Sequence, residues 1–160
     1  GMQPIVGYNF GAQKIDRVKQ TLRLGIISGV VITSSGFVIC EFFPHAVSAL
    51  FTDSDELINL AVEGIRLAVL MFPFVGAQIV IGNFFQSIGK AKISIFLSLT
   101  RQLLYLLPCL LLFPQWWGLK GVWISMPVSD ALAFVTAVIS LMIYIKKVSK
   151  EHPIANKVAE

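Results

Sequence analysis

Charge is what this sequence has least of. Only 14% of its 160 residues are Asp, Glu, Lys or Arg, where soluble domains carry about a quarter. Four long runs are almost bare of it: 24–40, 67–89 and 102–119 contain none, and 121–145 contains only Asp130. A membrane-spanning helix needs about 20 mostly apolar residues, so each run is a crossing or the bulk of one. Cysteine and histidine are equally scarce, two of each. Cys40 and Cys109 show no CxxC spacing and His45 and His152 join no ligand cluster, so no metal centre is expected. P-loop, GxSxG and HExxH motifs are absent, as is a pair of catalytic carboxylates. No cofactor and no enzymatic activity are expected.

What is present is apolar: 56% of residues are hydrophobic, and the mean hydropathy is +0.77. The net charge of +4 does not point to nucleic acid, because the basic residues lie between apolar runs and near the C-terminus rather than along one face or in an arm. The N-terminus lacks the layout of a signal peptide. It starts with Gly1 and opens inside a helix already under way, so the chain reads as a fragment of a longer protein.

The pattern predicts an all-α integral membrane protein. Residues 1–12 are the end of a preceding helix, 13–147 hold four crossings at about 18–43, 57–88, 93–113 and 119–145, and 148–160 form a polar tail. Small residues crowd the first crossing (Gly25, Ser28, Gly29, Thr33, Gly36), which lets neighbouring helices approach closely. Pro73 should kink the second at the preceding turn, and Pro108 and Pro127 are further kink candidates. Glu63 and Arg66, three apart at the start of the second helix, are expected to pair. Trp116 and Trp117 follow Pro114 as residues of an interfacial belt do.

Orientation follows from the connections. Basic residues crowd 13–23, 90–92 and 146–157, while the two connections between them are acidic or hold Lys120 alone. Positive loops stay in the cytoplasm, so four crossings of a cell membrane place the C-terminus on its cytoplasmic side.

A charge at the centre of a membrane helix costs about 2.5 to 3.5 kcal/mol on insertion scales and marks function by default. Arg101 and Asp130 are the two such charges, with an axial offset of about 7 to 8 Å that an Arg side chain can largely span. Either they neutralise each other structurally, or Asp130 exchanges protons or cations with Arg101 tuning it. Gln78, Asn83 and Gln86 fall within an arc of about 140° at 100° per residue. That polar face either lines a cavity or hydrogen-bonds neighbouring helices.

Four segments then resemble one family. GMQPIVGYNFGAQKIDRVKQ (1–20), SIGKAK (87–92), SLTRQLLYLLP (98–108) and GLKGVWISMPVSDALAF (118–134) are similar to the C-terminal part of multidrug and toxic compound extrusion (MATE) transporters, closest to the MepA-like and DinF-like branch. The resemblance covers all but about the last dozen residues. It implies a twelve-helix protein of two six-helix lobes that exports small organic cations in exchange for H+ or Na+ by alternating access. Residues 1–12 would end helix eight and the four crossings would be helices nine to twelve. The partners implied are the lipid bilayer and the N-terminal lobe of the same protein. One departure stands out: NorM-like members carry a cation-binding Asp in helix ten, where this sequence has about Ala77. Two alternatives are a flippase of lipid-linked oligosaccharides from the same superfamily and a non-transporting four-helix scaffold subunit.

Overall fold

The computed structural model describes residues 1–151, with side chains through Val148. These residues are helical with short connections: α1 Met2–Gly11, α2 Ile15–Phe42, α3 Pro44–Ala49, α4 Asp55–Val69, α5 Phe72–Ser87, α6 Ala91–Leu99, a π-helical segment Thr100–Leu106, and α7 Leu107–Glu151. Of the tail expected at 148–160, the part to Glu151 continues α7, and 152–160, with His152, lie outside the described residues.

Ile15–Phe42 and Ala91–Val148 are long and apolar enough to cross a membrane, and α4 with α5 make a third span if the bent pair is counted as one. The 58-residue stretch would measure roughly 87 Å if straight, against a hydrocarbon layer of about 30 Å. It is not straight. Gly118 adopts φ 55°, ψ −134°, a backbone region essentially restricted to glycine, and the chain doubles back there. Phe113 packs its carbonyl against Gly121 so closely that a Cβ at that glycine would collide with backbone. The two limbs then lie side by side, tied by Arg101 to Asp130 and by Tyr105 to Thr136.

Proline sets the other break. Pro73 stands at the start of α5; having no N–H and a ring that clashes with the carbonyl four residues back, it ends the helix in the turn before it. Leu70 closes α4 by donating to the Leu67 carbonyl, and the axes of α4 and α5 differ by 51°. Pro108 acts differently. Leu107 N–H donates five residues back, to Gln102 O, so the turn ahead of the proline is widened into a π-helix rather than broken. Pro127 sits within α7, whose backbone stays helical there.

Helix α5 is the centre of the bundle. It runs antiparallel to α2, meeting it where Gly29 and Gly76 bring the backbones together: a Cβ on Gly29 would lie 3.0 Å from the Gly76 carbonyl oxygen. It runs parallel to the second limb of α7, with Phe74 tilted against Phe134 and Phe84 and Phe85 edge-on to Tyr144. The buried core gathers here, from Val6, Val18, Leu22, Ile81, Phe84, Phe85 and Leu141 among others. Outward faces remain apolar, as Val31, Ile32 and Phe42 of α2 show, which suits a lipid solvent.

Successive long helices alternate in direction, so connections of like charge share an end. Lys90 and Lys147 border one cavity together with Phe10 of α1, and Lys19 borders the next. At the opposite end the expected Glu63–Arg66 pair does not form. Glu63 accepts from Lys120 at 2.8 Å, and Arg66 lies 3.9 Å from Glu41. Packing against α7 and α2 gives each charge a partner from another helix, which spacing along α4 could not reveal. Such exposed pairs contribute about 0 to 1 kcal/mol.

Candidate functional site

The face of α5 that carries Gln78, Asn83 and Gln86 borders a groove of about 310 Å³, closed on its other side by Ser94 and Ser98 of α6 and by Arg101 and Gln102 of the π-helical segment. All three polar residues singled out on α5 therefore meet Arg101 around one space. Asp130 stands behind that wall, on the second limb of α7 and 7% exposed. Arg101 Nε donates to Asp130 Oδ1 at 2.8 Å. The Arg101 side chain keeps 36% of its surface exposed and that of Asp130 only 9%, so the pair has a wet end at the groove and a dry end inside the bundle.

The hairpin sets this geometry. Limbs that fold back at Gly118 would place Arg101 about five residues from its level partner, and its long side chain covers the roughly 7.5 Å difference. Tyr105 makes the opposite reach to Thr136, a 2.8 Å hydrogen bond between hydroxyls. The two links cross, which fixes the limbs against sliding in either direction. Between them the backbone is π-helical, and Thr100, at its start, is 3% exposed with no partner for its hydroxyl among the described residues. Gln78 is buried too, and its Oε1 has no hydrogen-bond partner among the described residues.

Other residues of the groove were missed from sequence. Gln3 of α1 donates from Nε2 to Gln86 Oε1 at 3.1 Å and to Asn83 Oδ1 at 3.5 Å; one amide between Met2 and Pro4 was the available signal. Ser94, Ser98 and Gln102 share with the expected Arg101 an arc of about 100°, so the periodicity that marks α5 marks these three as well. Ala77, where NorM-like relatives would have their acid, is buried, and no residue of α5 is acidic. Among the described residues no group of three His, Cys, Asp or Glu could hold a metal ion. Pro73 and Pro108 shape α5 and the π-helical segment without entering the groove lining, and Pro127 does not line it either.

The arrangement is thus a polar groove flanked by a half-buried ion pair, set in helices otherwise made for lipid. Residues 1–111 match the model of the MatE family. The chain belongs to the MatE family.

Relatives within MatE are similar along most of this chain. The FAD transporter of Shewanella oneidensis is 23% identical over 135 residues, covering 82% of this chain and 29% of that protein. The probable multidrug resistance protein NorM of Pseudomonas aeruginosa is 28% identical over 125 residues, covering 74% and 26%. Among solved structures, the MATE multidrug transporter DinF-BH, solved with a bound ligand, is 38% identical, with TM-score 0.82, covering 88% of this chain and 32% of that one. An inward-facing MATE transporter of the MOP superfamily superposes with TM-score 0.87 at 19% identity, a likeness of fold alone, over 93% and 35%. The chain spans less than a third of the curated relatives and about a third of the solved ones. MatE membership points to membrane transport rather than to enzymatic catalysis, and the DinF-BH likeness is consistent with the branch expected from sequence.

Proposed function

We propose that this chain supplies the end of helix eight and helices nine to twelve of a secondary active multidrug efflux antiporter. Residues 13–147 make the four crossings, with the basic end and the C-terminus in the cytoplasm of a cell membrane. An N-terminal lobe of the same protein completes the central site, and an organic cation leaves in exchange for H+ or Na+. The observation that carries this reading is the polar groove along α5: donors and acceptors at membrane depth, all uncharged but Arg101, suit a cavity that must bind and release varied substrates. Without an acid on α5, the coupling ion is held elsewhere, either in the N-terminal lobe or at Asp130.

Full-length transporter in proteoliposomes tests both parts. Ethidium, a fluorescent organic cation, should move only under an imposed pH or Na+ gradient and stop when that gradient is dissipated. Movement indifferent to either gradient overturns antiport. Asp130→Asn separates the two ion sites: gradient-driven transport at the wild-type rate removes Asp130 as the ion carrier, whereas loss of coupling with ethidium binding retained assigns it.

A second substrate class has one observation in its favour. Arg101 is the charged residue of the groove lining, and a relative matching 82% of this chain is an FAD transporter. An anionic dinucleotide would meet that guanidinium. FAD export by the same proteoliposomes, with no movement of ethidium, would replace organic cations with FAD as the substrate.

A further inference from the structure

At the basic end of the bundle, on the side away from the polar groove, α6 and the second limb of α7 part to leave a cavity of about 690 Å³. Its volume lies within the roughly 300 to 1,000 Å³ of small-molecule sites, and its walls are of two kinds. Lys90, in the connection before α6, and Lys147, near the end of α7, stand at the rim. Below them the lining is apolar, with Ile93 and Phe96 on one wall and Ile143 on the other. Phe96 and Ile143 are 54% and 64% exposed, so the apolar part continues onto the outward face of the bundle. Ser140 is the deepest α7 residue of the lining, about one turn below Ile143, its hydroxyl donating to the Thr136 carbonyl at 2.8 Å.

A ligand that fits must be anionic at the rim and hydrocarbon below, and must enter sideways from the membrane. We propose that this cavity binds one anionic diacyl phospholipid, its phosphate between Lys90 and Lys147 and an acyl chain along Phe96 and Ile143. Charge complementarity selects the headgroup, since basic residues at a membrane surface attract anionic lipid. The apolar walls argue against free phosphate, which has nothing to place there. The site is distinct from the transport groove and does not depend on which ion or substrate the transporter carries; it requires that the chain lie in a bilayer and that the rest of the protein leave this face to lipid.

The test uses full-length transporter purified in detergent and exchanged with defined phosphatidylglycerol and phosphatidylcholine mixtures, with retained lipid counted by native mass spectrometry. Wild type should retain phosphatidylglycerol over phosphatidylcholine. Lys90→Gln with Lys147→Gln should weaken that retention about 30-fold, on roughly fivefold per lysine, while Lys120→Gln at the other end leaves it unchanged. Ser140→Phe, which fills the cavity without changing charge, should displace the lipid as well. Equal retention of the two lipids by wild type overturns the proposal, as does selectivity that survives the double Lys variant. Selectivity that survives Ser140→Phe also overturns it, because the lipid would then be held by surface charge and not by the cavity.

Discussion

Arg101 and Asp130 face each other across a hairpin whose limbs are otherwise uncharged over 93–119 and 121–145. Their surroundings differ, and so should the cost of losing either. Arg101→Ala would leave a carboxylate in a place where its side chain has 9% of its surface exposed, and an orphaned buried charge costs about 3 to 5 kcal/mol. The wet Arg101 end brings the expected loss to the lower end of that range. Asp130→Asn leaves a guanidinium that can turn into the groove, so the loss is near the value of one hydrogen bond to a charged group, about 1.5 kcal/mol. Removing both charges should recover part of the Arg101→Ala loss. Denaturation of the full-length protein in mixed micelles measures the order; Asp130→Asn proving as damaging as Arg101→Ala would show that the groove does not hydrate the arginine.

Glycines make the same kind of contrast between elements, because three of them sit in helical hairpins for different reasons. At Gly76 a Cβ would collide with Thr33 Oγ1 and come 2.5 Å from the Gly29 carbonyl, so Gly76→Ala should force α2 and α5 apart and cost about 1 to 3 kcal/mol. At Gly118 nothing lies within 4 Å, but φ is +55°, so Gly118→Ala should cost about 1 to 3 kcal/mol through backbone strain alone. At Gly82 the nearest atom is Ser94 Oγ at 4.0 Å and the backbone is helical, so Gly82→Ala should be neutral or stabilise by up to about 1 kcal/mol. Thermal unfolding of the three variants checks the order, and a destabilised Gly82→Ala would contradict the α5–α6 spacing. What sequence could show at this scale follows the same division. Proline acts on its own helix, so the α4–α5 break one turn before Pro73 was legible. The polar arc of Gln78, Asn83 and Gln86 was legible too, since it needs only a periodicity. Gln3 on that cluster, Lys120 on Glu63 and the π-helical turns before Pro108 depend on what a neighbouring helix presents or on how a strained turn relaxes, and no spacing within one helix encodes them.

Across the whole molecule the alternation of helix direction sorts charge between two ends, and this bears on which end is cytoplasmic. Lys14, Arg17, Lys19, Arg23, Lys90, Lys92, Lys146 and Lys147 belong to one end, where Asp16 is the acid among them. Glu41, Asp53, Asp55, Glu56 and Glu63 belong to the other, with Arg66 and Lys120. Short connections rich in Lys and Arg resist translocation, and acids contribute little to the choice, so eight basic residues against two should hold the first end in the cytoplasm. The helix reversals make this a single choice: if one basic connection is inside, all are. Single cysteines introduced into full-length protein without Cys40 and Cys109 read it out. Asp53→Cys and Lys120→Cys should react with an impermeant maleimide on intact cells, and Lys14→Cys and Lys90→Cys only after permeabilisation. The opposite pattern at all four positions would invert the protein. A mixed pattern, with Lys120 protected while Asp53 reacts, would mean that the Gly118 hairpin does not cross the bilayer and that 91–148 is a re-entrant structure instead of two spans.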